Sequence, residues 1–217
     1  MTLRRLTSEA LGTALLVTAV VGSGIMADRL TDDVALALLA NTVATGAALI
    51  MLITTFAPVS GAHFNPVVTL VFTLQRAISA RLAVGYVVAQ CLGGIVGTLA
   101  AHVMFELPLL QISETARSGA GQWVAETIAS FGLILCIFGA INARANIATT
   151  VAAYITAAYW FTASTSFANP AVALARSLTN TFAGIRPADL PGYWAAEVAG
   201  ALVAAAFSAW LFKPTAR

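Results

Sequence analysis

The sequence predicts an all-α membrane protein in which six transmembrane helices and two re-entrant half-helices form an inverted repeat. Three observations lead there. Hydrophobic residues make up 59% of the 217-residue chain and charged ones 9%, with a mean hydropathy of +0.88, outside the range of an ordinary soluble domain. Six apolar stretches are long enough, or nearly so, to cross about 30 Å of hydrocarbon as helices. The dipeptide Asn-Pro also occurs twice within this apolar sequence, at Asn65-Pro66 and Asn169-Pro170. Asn is a good helix N-cap, and Pro is tolerated at the first helical position, where its missing N–H would have no partner anyway. A helix start inside hydrocarbon is costly unless it is buried in protein or lines a watery path. Two such starts, one per half, point to a pore.

The first crossing, about 6–26, contains Glu9 and Gly12 and runs past the length of a leader's apolar region, so it reads as a permanent helix. The second follows at about 34–56. SGAHFNPVVTL then introduces a half-helix at about 66–75, too short to span, after which the chain returns to its own side. The third crossing, about 82–104, carries Gly85, Gly93, Gly94 and Gly97, small residues that let helices approach closely where van der Waals contact replaces a hydrophobic driving force. The second half repeats the plan. Crossings at about 123–141 and 147–161 are followed by a half-helix at about 170–179, introduced by TSFANPAVALA, and by a sixth crossing at about 193–212 that carries Gly200. EALGT at 9–13 echoes ETIAS at 126–130, and YVVAQCLGG at 86–94 echoes YWAAEVAGA at 193–201. With three crossings per half, the second repeat, about 118–217, inserts upside down relative to the first, about 1–110, within a single domain spanning 1–217. The half-helices then enter from opposite faces and meet N-terminus to N-terminus near the midplane.

Six crossings put both termini on one side. With the N-terminus in the cytoplasm, Arg4, Arg5, Arg76, Arg81, Arg144, Lys213 and Arg217 lie inside against Arg29, Arg117 and Arg186 outside, which orients a multi-pass protein in the inner cell membrane. Asp28, Asp32, Asp33, Glu106, Glu114 and Asp189 collect on the outer face, and a net charge of +2 implies no nucleic-acid partner. Cys91 and Cys136 fall within helices and read as small core residues, with no disulfide framework. His63 reads as a hydrogen-bonded loop residue, and His102 has no partner visible in sequence. Nothing calls for a metal or a cofactor. Ser164 and Ser166 have no spacing-defined His or Asp partner, so no catalytic residue is assigned. Glu9 and Glu126 are carboxylates within spans, which marks them as functional candidates. They serve either as a proton or ion relay or, at equivalent places in the repeat, as structural acids accepting hydrogen bonds from the loops that lead into the half-helices. A coupled secondary transporter shares inverted repeats and broken helices. It needs ionisable residues near its centre, and here only His63 and Arg176 lie near the motifs.

SGAHFNP with NPV, NPA in the second half, and the glutamates of the first and fourth helices form a specific set. Across essentially its whole length the chain resembles the aquaporin and aquaglyceroporin family of major intrinsic proteins. The resemblance implies a right-handed bundle of six helices and two half-helices, a pore in every subunit, a homotetramer in the lipid bilayer, and small neutral solutes as permeants. It also implies that Asn65, Pro66 and Val67 pair with Asn169, Pro170 and Ala171 as the pore motifs. The amides of Asn65 and Asn169 then donate to passing solute while the positive helix ends repel cations. Val67 replaces the usual Ala.

In typical members the second motif reads NPAR, and its Arg narrows the outer filter; here Val172 stands in that place. Carried over by spacing, the other filter positions fall on Thr45, Ala157 and Ser166, a set that predicts an opening wider and less polar than a water-selective one. This Arg-less filter resembles a bacterial subgroup of aquaglyceroporins associated with arsenic resistance, as do TDDVALALL, NARANIATT and AYWFTASTSFANPAV. The resemblance implies a passive channel for glycerol, arsenous acid and methylated arsenicals as well as some water. A general water and glycerol facilitator with no arsenic role is the alternative. Arg176, four residues past Val172 and so about one turn or ~6 Å along the half-helix on a similar face, either faces the outer vestibule or bonds to loop carbonyls.

Overall fold

A computed structural model describes residues 2–213; Arg217, one of the basic residues assigned to the inner face, lies outside them. Helices α1 (Thr2–Leu30), α2 (Val34–Ser60), α4 (Ala80–Met104), α5 (Ala120–Ala143) and α8 (Leu190–Leu211) are each long and apolar enough to cross a membrane. Helix α6 (Ile147–Phe161) has 15 residues, about 22 Å of rise. Residues 162–169 continue from its end to the second half-helix. The half-helices are α3 (Pro66–Leu74) and α7 (Pro170–Arg176), and a single 3₁₀ turn, Pro187–Asp189, leads into α8. Helix α7 stops short of the expected position 179, because the Arg176 carbonyl accepts the Ile185 N–H and the N–H of Leu178 reaches back only to Ala175.

Local chemistry sets the helix starts. Asp33 Oδ1 accepts the Ala35 and Leu36 N–H groups at 2.8 and 3.2 Å, Ser79 Oγ that of Leu82, and Asn146 Oδ1 that of Thr149. Each cap stabilises its helix by about 1 kcal/mol.

The packing is repeated in the two halves. Helix α1 lies along α4 with Gly93 against the Ala10 carbonyl and Gly97 against that of Ala14, so that a Cβ at either would overlap backbone. Helix α5 lies along α8 in the same way, with Gly200 against the Thr127 carbonyl. Gly94 faces the Ala171 carbonyl and Gly12 the Phe64 ring, and these contacts seat the half-helix segments on the long helices. Leu6 packs on Gly85, Ser8 bonds Ser60, and Phe72 stacks near Phe138 at 5.9 Å. The start of α1, the end of α2, the end of α3, the start of α4 and the end of α5 therefore share one end of the bundle. Arg29 donates to the Phe105 carbonyl at 2.6 Å at the opposite end. Valines and leucines such as Val88, Leu92, Val96 and Leu202 are exposed on the outside of the bundle, where lipid takes the place of a core.

Candidate functional site

Each half-helix begins with the same device. Asn65 Oδ1 accepts the Val67 N–H at 2.9 Å, and Asn169 Oδ1 accepts those of Ala171 and Val172 at 3.1 and 3.3 Å. The Nδ2 groups cross between the halves: Asn65 donates to the Ala168 carbonyl at 2.7 Å and Asn169 to the Phe64 carbonyl at 2.8 Å. This reciprocal pair clamps the two starts together. One amide hydrogen of each Asn is used in the clamp, which leaves the second for the lumen.

The loops leading to these starts are strained in parallel. Ala62 and Phe64 hold φ of 50° and 49°, and Ser166 and Ala168 hold 51° and 48°, at matching distances before the two asparagines. Left-handed backbone in residues with a Cβ costs about 1–2 kcal/mol each, so it persists only where the surroundings fix it. Buried carboxylates supply that constraint. Glu9 accepts the His63 and Phe64 N–H groups at 3.0 and 2.7 Å, together with Ser60 Oγ and Gln90 Nε2 at 2.6 and 2.8 Å. Glu126 accepts the Phe167 and Ala168 N–H groups at 2.9 and 2.7 Å, and Glu197 the Asn169 N–H at 2.9 Å. With the amides drawn toward the carboxylates, the Phe64 and Ala168 carbonyls are left to receive the asparagine clamp.

Gln90 and Glu197 were not singled out from the sequence, yet they occupy matching places in the echoed segments YVVAQ and YWAAE. That echo was the available signal. His63 Nδ1 pairs with Thr69 Oγ1 at 3.1 Å, and Gln90 Nε2 also reaches this hydroxyl. The buried His102 pairs with the Leu109 carbonyl and Thr179 Oγ1, partners that only the fold brings near.

Between the halves runs a lumen of about 120 Å³. Asn65, Asn169, His63 and the loop residues 61–64 and 166–168 line its middle, with Val68, Phe72 and Ile147 among the apolar residues along it. Thr45, Ser166, Val172 and Arg176 also line it. Ala157 does not: it is exposed on the outside of α6, and Ile155 and Tyr159 face the lumen instead. The spacing argument failed there because counting back from Asn169 passes through the irregular segment 162–169, which does not carry the helical phase of α6. Tyr159 Oη lies 3.3 Å from Thr45 Oγ1, so this side of the lumen carries an aromatic hydroxyl where an alanine was expected.

Arg176 is 4% exposed; it lines the lumen, and its Nε donates to the Ala183 loop carbonyl. Its guanidinium carbon lies 3.4 Å from the centroid of the Phe167 ring. Cys91 and Cys136 are half-buried rather than core residues, and neither lines the lumen.

Helices that cross a membrane, two half-helices clamped start to start, and a narrow lumen through the clamp define a transmembrane pore. The chain belongs to the major intrinsic protein family, whose sequence profile matches residues 1–162. It is 59% identical over 212 residues to the aquaglyceroporin AqpS of Rhizobium meliloti (strain 1021), covering 97% of this chain and 91% of that one. Aquaporin-4 of Mus musculus is 26% identical over 224 residues, covering 97% of this chain and 68% of the relative. The crystal structure of the aquaglyceroporin from Plasmodium falciparum superposes with a TM-score of 0.72 at 22% identity, covering 98% of this chain and 96% of that one, and so shares the fold. The protein is thus a multi-pass membrane channel with the aquaporin fold, not an enzyme.

Proposed function

We propose that the channel passes small uncharged solutes passively: glycerol, arsenous acid and methylated arsenicals, with some water. The observation that carries this reading is the first turn of α7, where Val172 lines the lumen, as Thr45 and Ser166 also do, at the place where typical family members carry an arginine. The relative in Rhizobium meliloti is named an aquaglyceroporin, and undissociated arsenous acid is, like glycerol, a small neutral polyhydroxyl molecule. An apolar wall interrupted by a few polar groups, among them the Asn65 and Asn169 amides, suits such solutes, because it replaces part of their hydration without binding them tightly.

On this reading Asn65 and Asn169 donate to the permeating solute, Thr45, Ser166 and Val172 set the width of the filter, and Glu9 and Glu126 hold the loops. The repeats 1–110 and 118–217 form one pore per subunit of a homotetramer in the inner membrane, with both termini in the cytoplasm. The test is solute uptake by proteoliposomes. Val172→Arg is expected to reduce uptake of methylated arsenicals severalfold more than that of water. Equal uptake of the bulkier solutes by the variant and the parent, at equal protein content, rules out the filter assignment.

A further inference from the structure

Two guanidinium groups gather around one ring. The Arg176 carbon is 3.4 Å and the Arg117 carbon 5.3 Å from the centroid of Phe167. Each is tethered by backbone carbonyls, Arg176 Nε by Ala183 and Arg117 Nε by Gly184 at 2.8 Å. Neither guanidinium has a carboxylate partner among the described residues, although the Arg117 backbone N–H donates to Asp189 Oδ2 at 2.7 Å. The one ion pair among the described residues joins Arg186 to Asp189. Both oxygens of the buried Glu126 are taken by the Phe167 and Ala168 amides.

The terminal nitrogens of Arg176 take no protein acceptor among the described residues, although the residue lines the lumen. Ser166 lines the same lumen, is 3% exposed, and has a hydroxyl without any partner. A buried hydroxyl left unsatisfied costs about 1–3 kcal/mol, and a buried cation without a counter-charge costs several more. Both groups favour the same kind of visitor, one that brings acceptor oxygens.

We propose that Arg176 and Ser166, with the charge of Arg117 behind them, form a binding site for small oxyacids and their monoanions at the α7 end of the lumen. A guanidinium presents its N–H groups as a planar fork that matches two oxygens on one centre, and stacking on Phe167 holds that plane in place. The Ser166 hydroxyl, with no partner among the described residues, is free to turn about χ1 and donate to a further oxygen. Halide ions lack paired oxygens and gain only the charge. The site deepens the reading of the pore as a path for neutral oxyacids: it holds such an acid by its oxygens at the mouth, and it holds the ionised form longer.

Methanesulfonate is a suitable probe because it is a tetrahedral monoanion of the right size that does not cross lipid as a neutral acid. In proteoliposomes at constant ionic strength, replacing chloride with methanesulfonate is expected to slow glycerol flux, with half of the effect reached at millimolar concentration. Binding is read separately by saturation-transfer NMR of the methanesulfonate methyl signal on the detergent-solubilised chain. Arg176→Gln and Ser166→Ala are each expected to weaken binding about tenfold, the loss of one charge-assisted or buried hydrogen bond. Methanesulfonate acting no differently from chloride on the parent protein overturns the site, as does unchanged binding in Ser166→Ala, the variant that leaves the tethered arginine in place. Binding without any glycerol flux would instead sink the reading of the pore while leaving the site intact.

Discussion

Gln90 and Glu197 occupy matched places in the two halves but solve the same problem unequally. Each leaves one side-chain oxygen without a partner, Gln90 Oε1 and Glu197 Oε2, but Gln90 donates to Glu9 through its amide, whereas Glu197 has no amide to offer the carboxyl of Glu126. Glu197→Gln keeps the carbonyl that accepts the Asn169 N–H and adds an amide donor toward Glu126, copying the first half. The variant is expected to melt higher in detergent, by about 1 kcal/mol of stability, with glycerol flux retained. A lower melting temperature would mean that the carboxylic acid at 197 is itself needed. At the other residue of interest the readout is chemical. Ser166 lines the lumen whereas the two native cysteines do not. Flux through the parent protein is therefore expected to resist mercurials, and Ser166→Cys to become sensitive. Inhibition of the parent that disappears on replacing Cys91 or Cys136 would show a thiol in the path.

Among the elements, the half-helices depend on each other more than their sequences suggest. Nine and seven residues are too few for a stable isolated helix. They persist because asparagine caps one start and also donates to the loop of the other. Asn→Asp at 65 or 169 preserves the capping oxygen but replaces the donor with a second acceptor, setting a carboxylate against a carbonyl at 2.7–2.8 Å. Losing that donor costs about 1–3 kcal/mol, and the added negative charge lowers the barrier that the paired helix starts present to cations. Either variant is expected to melt lower and to show added cation conductance in planar bilayers. A folded variant with neither change would mean that the crossed bonds are incidental. Helix α6 teaches the opposite lesson. Its existence and limits follow from apolar length, but its rotation about its own axis does not, which is why Tyr159 rather than Ala157 reaches the lumen.

At the level of the whole molecule, two glycine seams hold the bundle together. Where α1 meets α4 and α5 meets α8, backbone touches side-chain-free backbone, the approach that gives most van der Waals contact in a lipid solvent offering no hydrophobic drive between helices. Gly97→Val and Gly200→Val each force a side chain into a facing carbonyl. A destabilisation of about 1–3 kcal/mol is expected for each, read as loss of monodisperse protein in detergent. Gly121→Val is the control, since a Cβ there meets nothing within 4 Å.

The sequence alone determined the class of molecule. Composition forced the chain into a bilayer, where only helices or a closed barrel satisfy the backbone and long continuous apolar runs select helices, and two Asn-Pro starts buried in apolar sequence required a polar path between them. The echo of Glu9 in Glu126 was legible, because a repeat places like residues in like surroundings, whereas the echoed segments 86–94 and 193–201 did not by themselves single out Gln90 and Glu197. Tertiary structure decided what depends on rotation and on distant partners. It turned Tyr159 inward and Ala157 outward, bonded His102 to Thr179, and brought Arg176, Arg117 and Phe167 together at one end of the lumen. The physical reason is that periodicity fixes which residues share a face of a helix, whereas the direction of that face is set by packing, and irregular loops such as 162–169 break the phase that counting along the chain would need.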